Sequence, residues 1–347
     1  MMFIQFSEII EEAWANYDPS RNIKSISDIS AKVSTNHVYK VIFEDKGFVI
    51  AKLSYFGQYE HFVEDHTIIN VLANNLPEPY ENFLSRSLMK GNNLFTYRFR
   101  NALIDAWVVF YRPIKIDKKL PRRLEEEHIR SLGKQFAKLH QTCSKVRNTL
   151  PPSSKTLHSD IEHLQRLMDS ELGRYEHRMN ESTIREQCDL FLEKAEKVKF
   201  KEWERIPVFV DWNIGNFSVT RSYKLFSRWD YDWFRMSSRI LDFYFLSRIV
   251  SDIGDRTVFS YNIDPLMEER FILFLQEYHK VYPLTEPEIR FLGEVYRFFI
   301  INYVIKDGRY FFHEIYASKL QAEAYQSYFP ELDKKFNPEP LLRALKI

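Results

Sequence analysis

Three oxygen-bearing side chains lie beside short strand-like runs in the second half of the chain. Asp211 and Asn216 occur in VFVDWNIGNFSV, directly after one apolar run and directly before another. Asp230 follows fourteen residues after Asn216, at the end of a run that should pair with the previous one across a turn at Arg221. This strand pairing would bring two carboxylates and one amide oxygen together.

Such a set meets the needs of phosphoryl transfer from ATP, which requires oxygen ligands for Mg²⁺, a carboxylate near the attacking hydroxyl and a cation on the phosphates. Asn216 and Asp230 are hard oxygen ligands suited to magnesium. Asp211 would orient a hydroxyl or take its proton. Lys52, in the run FVIAKL, would supply the cation. The residues therefore predict a site for ATP and Mg²⁺.

Lys52 stands in an apolar strand, where a lysine without an acidic partner is unfavourable. Glu64, on the helix that follows, is the obvious candidate for that partner, and Asp65 is the nearest rival. The segment EHFVED is also an acidic helix start, in which carboxylates stabilise the helix dipole without forming any site. The residues alone leave both interpretations of Glu64 open.

The first third of the chain is predicted to be a β-rich scaffold. Residues 38–53 form two β-rich runs around a turn, which predicts a hairpin. Residues 62–76 have apolar positions at helical intervals, and two further strand-like runs cover 94–99 and 106–111. This pattern predicts a mostly β region with one helix behind the hairpin.

From residue 124 onward the periodicity is helical, apart from a β interruption at residues 208–229. We therefore predict an N-terminal β-rich nucleotide-binding lobe over residues 1–111 and a hinge at about 106–113. A mainly helical catalytic and substrate lobe should cover residues 112–347.

Composition excludes several classes of function. Lysine and arginine total 49 against 48 aspartate and glutamate, a balance that argues against a nucleic-acid partner. The two cysteines, Cys143 and Cys188, lie far apart and are predicted to be free thiols in a reducing cytoplasm. The N-terminus does not resemble a secretion signal and no apolar run has membrane-spanning length, so we expect a cytoplasmic protein without a membrane partner. Nothing indicates the oligomeric state.

The sequence resembles the aminoglycoside phosphotransferase and choline kinase family. VFVDWNIGN resembles the HGDxxxxN catalytic loop of that family, and SRWDYDW resembles its metal-binding I-D-F/W-E segment. The run LGKQFAKLH (132–140) is similar to the family's LGxxLAxLH helix, and STNHVYKV (34–41) to its phosphate-loop segment xxxNxVYxV. Asp242 stands twelve residues after Asp230, where the family has a helix-starting aspartate. The resemblance spans about residues 25–245.

This resemblance implies an α+β, two-lobed protein-kinase-like fold, with a small β-rich N-lobe and a large mainly α-helical C-lobe that carries a catalytic β-hairpin. It implies ATP and Mg²⁺ as cofactors and a small hydroxyl compound as acceptor: an amino alcohol, a homoserine-like compound, a sugar or an aminoglycoside. It also implies that backbone groups of the strand and linker around residues 107–111, the segment that joins the two lobes, hold the adenine. The implied site residues are the base Asp211, the magnesium ligands Asn216 and Asp230, the phosphate-anchoring pair Lys52 and Glu64, and the phosphate-loop donors Ser34, Thr35 and Asn36.

The sequence departs from the family pattern at three places, one of which is the stretch between Asp230 and Asp242, which lacks the family's usual glycine and proline. Phe209 and Val210 replace the histidine and glycine of the catalytic loop, and the phosphate loop has no glycine between Asn22 and Lys46. These departures motivate an alternative function, a catalytically inactive kinase-like protein that binds a nucleotide or a partner.

Three further polar residues near the predicted site are expected to have supporting roles. His140 is expected to pack or to form hydrogen bonds without acting as a catalyst. Asp242 is expected to cap the following helix, to brace the catalytic loop, or both. Asp232 is interpreted as a solvated loop acid, with a second metal ligand or the substrate rim as the alternative.

Overall fold

A computed structural model describes residues 5–31, 36–252 and 260–347. Its N-terminal part contains a five-stranded antiparallel sheet with the strand order β1-β2-β3-β7-β6. The elements of this part are α1 (Phe6–Tyr17), β1 (Ile23–Asp28), β2 (His37–Phe43), β3 (Phe48–Ser54), α2 (Tyr59–Asn75), β4 (Met89–Lys90), β5 (Asn93–Leu94), β6 (Thr96–Arg100) and β7 (Asp105–Tyr111).

The predicted hairpin is confirmed as β2 and β3. Its register places Val38 opposite Lys52, and Lys52 opposite Val109 on the other side. Lys52 therefore lies on a central strand with neighbours on both sides. Because successive side chains of a strand point to opposite faces, this register determines the face on which the lysine lies.

The N-terminal part contains two helices, so the prediction of one helix was wrong. Helix α1 has an apolar face at the i, i+3, i+4 spacing of an amphipathic helix, and its buried members are Ile9, Ile10, Ala13 and Trp14. They belong to one core cluster with sheet residues such as Val41 and Val108. Helix α2 instead contributes Ile68 and Leu72 to the larger core that continues into the helical part of the chain.

The middle of the chain combines helices with two small antiparallel strand pairs. The elements are α3 (Glu126–Val146), α4 (Leu157–Asp169), α5 (Glu171–His177), α6 (Glu181–Lys197), β8 (Ile206–Val208), β9 (Phe217–Val219), β10 (Leu225–Arg228) and β11 (Arg235–Ser237). Strand β9 pairs with β10 and β8 pairs with β11. The predicted pairing across the Arg221 turn is confirmed, and it places Asp230 two residues beyond β10.

The last part of the described chain is helical. It comprises α7 (Phe243–Val250), α8 (Glu269–Val281), α9 (Glu286–Arg290), α10 (Leu292–Phe299), a π-helical segment Ile300–Lys306, α11 (Gly308–Phe311), α12 (Glu314–Glu323), a second π-helical segment Ala324–Tyr328, α13 (Phe329–Lys335) and α14 (Glu339–Leu345). Helices α3 and α8 pack closely at Gly133. A Cβ added at this residue would lie 2.5 Å from the Phe274 carbonyl oxygen, so only glycine fits there without a shift.

The chain therefore has an antiparallel N-terminal sheet followed by a mainly helical C-terminal region, and the predicted α+β class is confirmed. Cys143 and Cys188 are free and buried. In the described ranges, the helices lack the combination of length and apolar composition needed to span a bilayer.

Candidate active site

The loop after β8 holds two of the predicted site residues together. Asn216 donates a side-chain hydrogen bond from Nδ2 to Asp211 Oδ2 at 2.9 Å, and the Asn213 backbone N–H donates to Asp211 Oδ1 at 3.2 Å. The buried Arg228 donates from Nη2 to the Asp211 carbonyl oxygen at 2.9 Å. The Asp211 carboxylate is therefore oriented on both oxygens, as a group that must meet a reacting hydroxyl should be.

Lys52 reaches the other part of the site. Its Nζ lies 3.0 Å from Asp230 Oδ1 and also forms a short ion pair with Asp232. The structure thus brings Lys52 to Asp230 across 178 positions of sequence. Asp230 itself has a φ of 67°, in the left-handed region that a residue with a Cβ rarely adopts, so the backbone is strained where this carboxylate is presented.

The predicted pairing of Lys52 with Glu64 is wrong for this structure. Among the described residues, the ion-pair partners of Lys52 are Asp230 and Asp232. Glu64 instead accepts hydrogen bonds at Oε1 from Ser153 Oγ and from the Ser154 backbone N–H, both at 2.8 Å. Glu64 therefore faces the loop before α4 and not the Lys52 ammonium group.

Asp65, the rival candidate, also has another partner, since its carboxylate pairs with Lys155. Burial raises the pKa of Asp65 to about 6, although Lys155 opposes the rise. Both acids of α2 therefore connect this helix to the segment that precedes α4. They link the N-terminal sheet region to the helical region.

The three charges at Lys52 depend on one another. Burial alone would lower the pKa of Lys52, but Asp230 and Asp232 raise it above its usual value. Burial raises the pKa of Asp232 to about 7 against the effect of Lys52, whereas for Asp230 Lys52 outweighs burial and the pKa is lowered. Lys52 therefore stays charged, and Asp230 is the carboxylate that stays ionised at neutral pH.

Asp232 was interpreted as a solvated loop acid, and that prediction was wrong. Its side chain is 16% exposed, pairs with Lys52, and accepts a hydrogen bond from Asn36 Nδ2. Asn36 therefore connects the predicted phosphate loop to the charged cluster. Ser34 and Thr35, the other two predicted loop donors, lie outside the described residues.

The strand and the linker around residues 107–111, which were expected to hold the adenine through backbone groups, differ in how much of their backbone is already hydrogen-bonded. Strand β7 is central in the sheet, and Val109 pairs with Lys52 on one side and with Thr96 on the other. Its backbone groups are therefore used in the sheet. The linker that follows, residues 112–119, is largely exposed and joins the sheet to the helical region.

A buried network braces the loop that carries Asp211. Asp242 Oδ1 accepts from the backbone N–H groups of Phe209 and Val210 at 3.0 and 2.7 Å, and Oδ2 lies 3.0 Å from His140 Nε2. His140 Nδ1 lies 2.7 Å from Tyr278 Oη. The prediction that Asp242 braces the loop is confirmed. Its side chain makes no capping hydrogen bond to α7.

This bracing accounts for a valine at a backbone position that favours glycine. Val210 has a φ of 59°, which glycine adopts freely and a β-branched residue disfavours. The two hydrogen bonds to Asp242 hold the backbone at this position. The buried Val210 side chain belongs to the large core, and that packing offsets part of the cost of the strain.

A cavity of about 160 Å³ adjoins the charged cluster, with Asp232 in its wall. Sequence reasoning missed most of its charged residues, because they pair across long stretches of sequence. The wall includes Asp65, Lys155, Asp160, Arg235, Lys306 and Asp307. A larger cavity of about 400 Å³ shares Lys155 and Arg235 with it but lies against the apolar side chains of α6.

No protein-family model and no curated protein matches this sequence. Similarity appears among solved structures. An amicoumacin kinase solved with AMP-PNP, Ca²⁺ and Ami is 13% identical, with a TM-score of 0.66 over 97% of each chain. A microcompartment-associated aminopropanol kinase is 18% identical, with a TM-score of 0.59 over 94% of this chain and 98% of that one.

The choline kinase LicA from Streptococcus pneumoniae is 13% identical, with a TM-score of 0.54 over 95% of this chain and 99% of that one. These identities are low, but the coverage is nearly complete on both sides. The prediction of fold is confirmed over the length of the chain. This protein therefore has the protein-kinase-like fold shared by the aminoglycoside phosphotransferases and the choline kinases.

Proposed function

We propose that this protein is an ATP- and magnesium-dependent phosphotransferase that moves the γ-phosphate to a hydroxyl of a small polar metabolite. The observation that carries the proposal is the 3.0 Å contact of Lys52 with Asp230, made within a fold that small-molecule kinases share. The oriented pair of Asp211 and Asn216 supplies the remaining groups that this chemistry needs.

The donor groups fit a magnesium nucleotide. Among the described residues, no group of three or more His, Cys, Asp or Glu side chains is placed to hold a metal ion. Magnesium bound with a nucleotide needs only one or two protein oxygens, because phosphates and water complete its shell. Asp230, whose side chain is 38% exposed, and Asn216 are such ligands. When bound, Mg²⁺ would neutralise charge on the phosphate oxygens.

The residues of the chain then have distinct roles in the transfer. The Lys52 ammonium group would form ion pairs with phosphate oxygens. Asn36, in the predicted phosphate loop, would lie beside the phosphates. Asp211 would orient the acceptor hydroxyl and take its proton as the new bond from oxygen to phosphorus forms. The bond between the γ-phosphorus and the bridging oxygen breaks, and ADP leaves.

The two parts of the fold would have different roles, one in nucleotide binding and the other in catalysis and substrate binding. Residues 1–111 would form the nucleotide-binding lobe and residues 112–347 the catalytic and substrate lobe. Because the backbone groups of β7 are used in the sheet, the nucleotide base would lie against the exposed linker at 112–119.

A second candidate is an inactive kinase-like protein that binds a nucleotide or a partner. The replacement of the loop histidine and glycine by Phe209 and Val210 favours it. Against it, the loop is held by Asp242, and Asp211 is oriented on both carboxylate oxygens. We therefore favour catalysis.

Calorimetric titration of ATP, with and without Mg²⁺, tests the proposal on the native protein and on Asp230→Asn. The matched control is Asp252→Asn, a surface carboxylate that pairs with Arg123. We expect magnesium-dependent binding by the native protein and the control, and its loss in Asp230→Asn. Magnesium-dependent binding with no ADP release for any hydroxyl acceptor would favour the inactive candidate, and no binding would refute both nucleotide-dependent functions.

A further inference from the structure

The cavity beside Asp232 contains an unusual share of unsatisfied polar atoms. Of the eleven buried side-chain nitrogen and oxygen atoms that lack a partner within the described ranges, five belong to residues of its wall. They are Asp65 Oδ1, Arg235 Nε and Nη1, Asn302 Oδ1 and Tyr303 Oη. All four residues are more than nine-tenths buried. Buried polar atoms without partners are costly, and their concentration in one wall indicates a polar ligand.

The chemistry of these atoms specifies both ends of that ligand. Arg235 Nε and Nη1 are donors that suit a carboxylate. Asp65 Oδ1 and Asn302 Oδ1 are acceptors that suit an ammonium group. Asn302 and Tyr303 lie in the π-helical segment Ile300–Lys306, a type of helix distortion that often occurs at functional sites.

The charged groups around the cavity largely compensate one another, which argues against a polycation: the wall has four carboxylates and three lysine or arginine side chains, and Lys52 pairs with Asp232 from outside the wall. Its carboxylates are each paired with a lysine or arginine: Asp65 with Lys155, Asp160 with Arg235 and Lys306, Asp307 with Lys306, and Asp232 with Lys52. Since these acids are already neutralised, several added positive charges would lack partners. A compound with one charge of each sign fits better.

The volume sets a limit on size. The cavity has a volume of about 160 Å³. Drug-sized ligands occupy cavities of about 300 Å³ or more. A compound of the size of a small amino acid therefore matches this volume better than a multi-ring aminoglycoside does.

We infer that this cavity binds the phosphate acceptor and that the acceptor is a small hydroxyl-bearing zwitterion. Its carboxylate contacts Arg235, its ammonium group contacts Asp65 and Asn302, and its hydroxyl lies towards Asp232. This inference rests on the proposed phosphotransferase function, and the transfer is the one written above, with ATP as the donor and Asp211 as the proton acceptor.

Matched acceptors test the inference in an ADP-release assay. L-Serine and L-homoserine carry both charges, 3-amino-1-propanol lacks the carboxylate, 4-hydroxybutyrate lacks the ammonium group, and kanamycin is a large polycation. We expect at least one of the two amino acids to have a kcat/KM at least about 100-fold above that of the other three compounds.

The failures of the two proposals are distinguishable. Comparable turnover of 3-amino-1-propanol or kanamycin would overturn the zwitterion inference and leave the phosphotransferase function in place. Magnesium-dependent ATP binding without turnover of either amino acid would also overturn the inference alone. Absence of ATP binding would overturn both.

Two conservative variants locate the acceptor in this cavity. Tyr303→Phe removes only the unpartnered hydroxyl, and Arg235→Lys keeps the positive charge near Asp160. Both should raise the KM for the preferred amino acid by about 10-fold or more and leave the KM for ATP unchanged. Tyr97→Phe is the control and should change neither KM; Tyr97 lies on β6, and its hydroxyl bonds to Glu12 of α1. Unchanged acceptor KM values in both cavity variants would overturn the assignment.

Discussion

Asp242 should control both the stability of the protein and the position of its candidate base. The residue is fully buried and accepts three hydrogen bonds, from the backbone N–H groups of Phe209 and Val210 and from His140. Replacement by alanine leaves all three groups without this acceptor. Replacement by asparagine keeps one oxygen for the backbone N–H groups and removes the charge.

The expected cost follows from these contacts. A hydrogen bond to a charged group contributes about 1.5–3 kcal/mol. Three of them give at least about 4 kcal/mol for Asp242→Ala, close to the cost of breaking a buried pair. Asp242→Asn should cost about 1–3 kcal/mol, because one oxygen remains. The loop would also lose the contacts that hold Val210 at positive φ, and Asp211 would be displaced. We expect this displacement to lower kcat by about 10-fold or more, because a shift of about 1 Å in a reacting group can lower the reaction rate by about 100-fold.

Urea unfolding and steady-state kinetics of both variants provide the assay. Asp252→Asn, on the surface, is the control and should change the free energy of unfolding by less than about 1 kcal/mol. The reasoning is refuted if Asp242→Ala unfolds within about 1 kcal/mol of the native protein, or if it costs no more than Asp242→Asn.

Other consequences can be tested one at a time. Glu64→Gln should leave the KM for ATP within about threefold of the native value, because Glu64 bonds to the loop before α4. Lys52→Met should raise the KM for ATP by about 100-fold or more. An equal rise of this KM in both variants, measured by ADP release, would contradict the observed ion pairing. The pKa of Asp65 is raised from 3.8 to about 6 in the folded state, so its contribution to stability is complete below pH 3.8 and is lost as the pH rises to about 6. Urea unfolding between pH 4 and 7 should therefore show the native protein losing stability relative to Asp65→Asn, and parallel curves would be inconsistent with the raised pKa. Val210→Gly should lower the free energy of unfolding by at least about 1 kcal/mol less than Val208→Gly does, because both variants remove a buried valine but only the first relieves a positive φ. Equal losses in urea unfolding would show that the backbone at position 210 is not strained.

The sequence predicted those features that depend on short spacings along the chain. The hairpin that carries Lys52 followed from two β-rich runs around a turn. The approach of Asp211 to Asn216 followed from one loop between strands, and the structure shows the contact at 2.9 Å. The role of Asp242 as a brace followed from its place after Asp230 in a resembling motif. For the hairpin and for the contact of Asp211 with Asn216, neighbouring residues and the regular geometry of strands were sufficient.

The helix before the sheet shows where pattern reading was incomplete. The apolar positions of α1 have helical spacing, although no helix was predicted there. Its burial against the sheet makes the pattern meaningful. The sequence contains the apolar periodicity of this helix, but it does not identify the sheet against which the helix packs.

Tertiary structure alone decided which charges meet. Lys52 pairs with Asp230 across 178 positions, Lys155 with Asp65 across 90, and Arg235 with Asp160 across 75. These contacts depend on how α2 is rotated about its axis and on how its region docks on α4 and β11. A rotation of one residue on a helix turns a side chain by about 100°, enough to exchange the surroundings of Glu64 and Asp65. Local sequence does not determine that angle, because the packing of the whole core sets it.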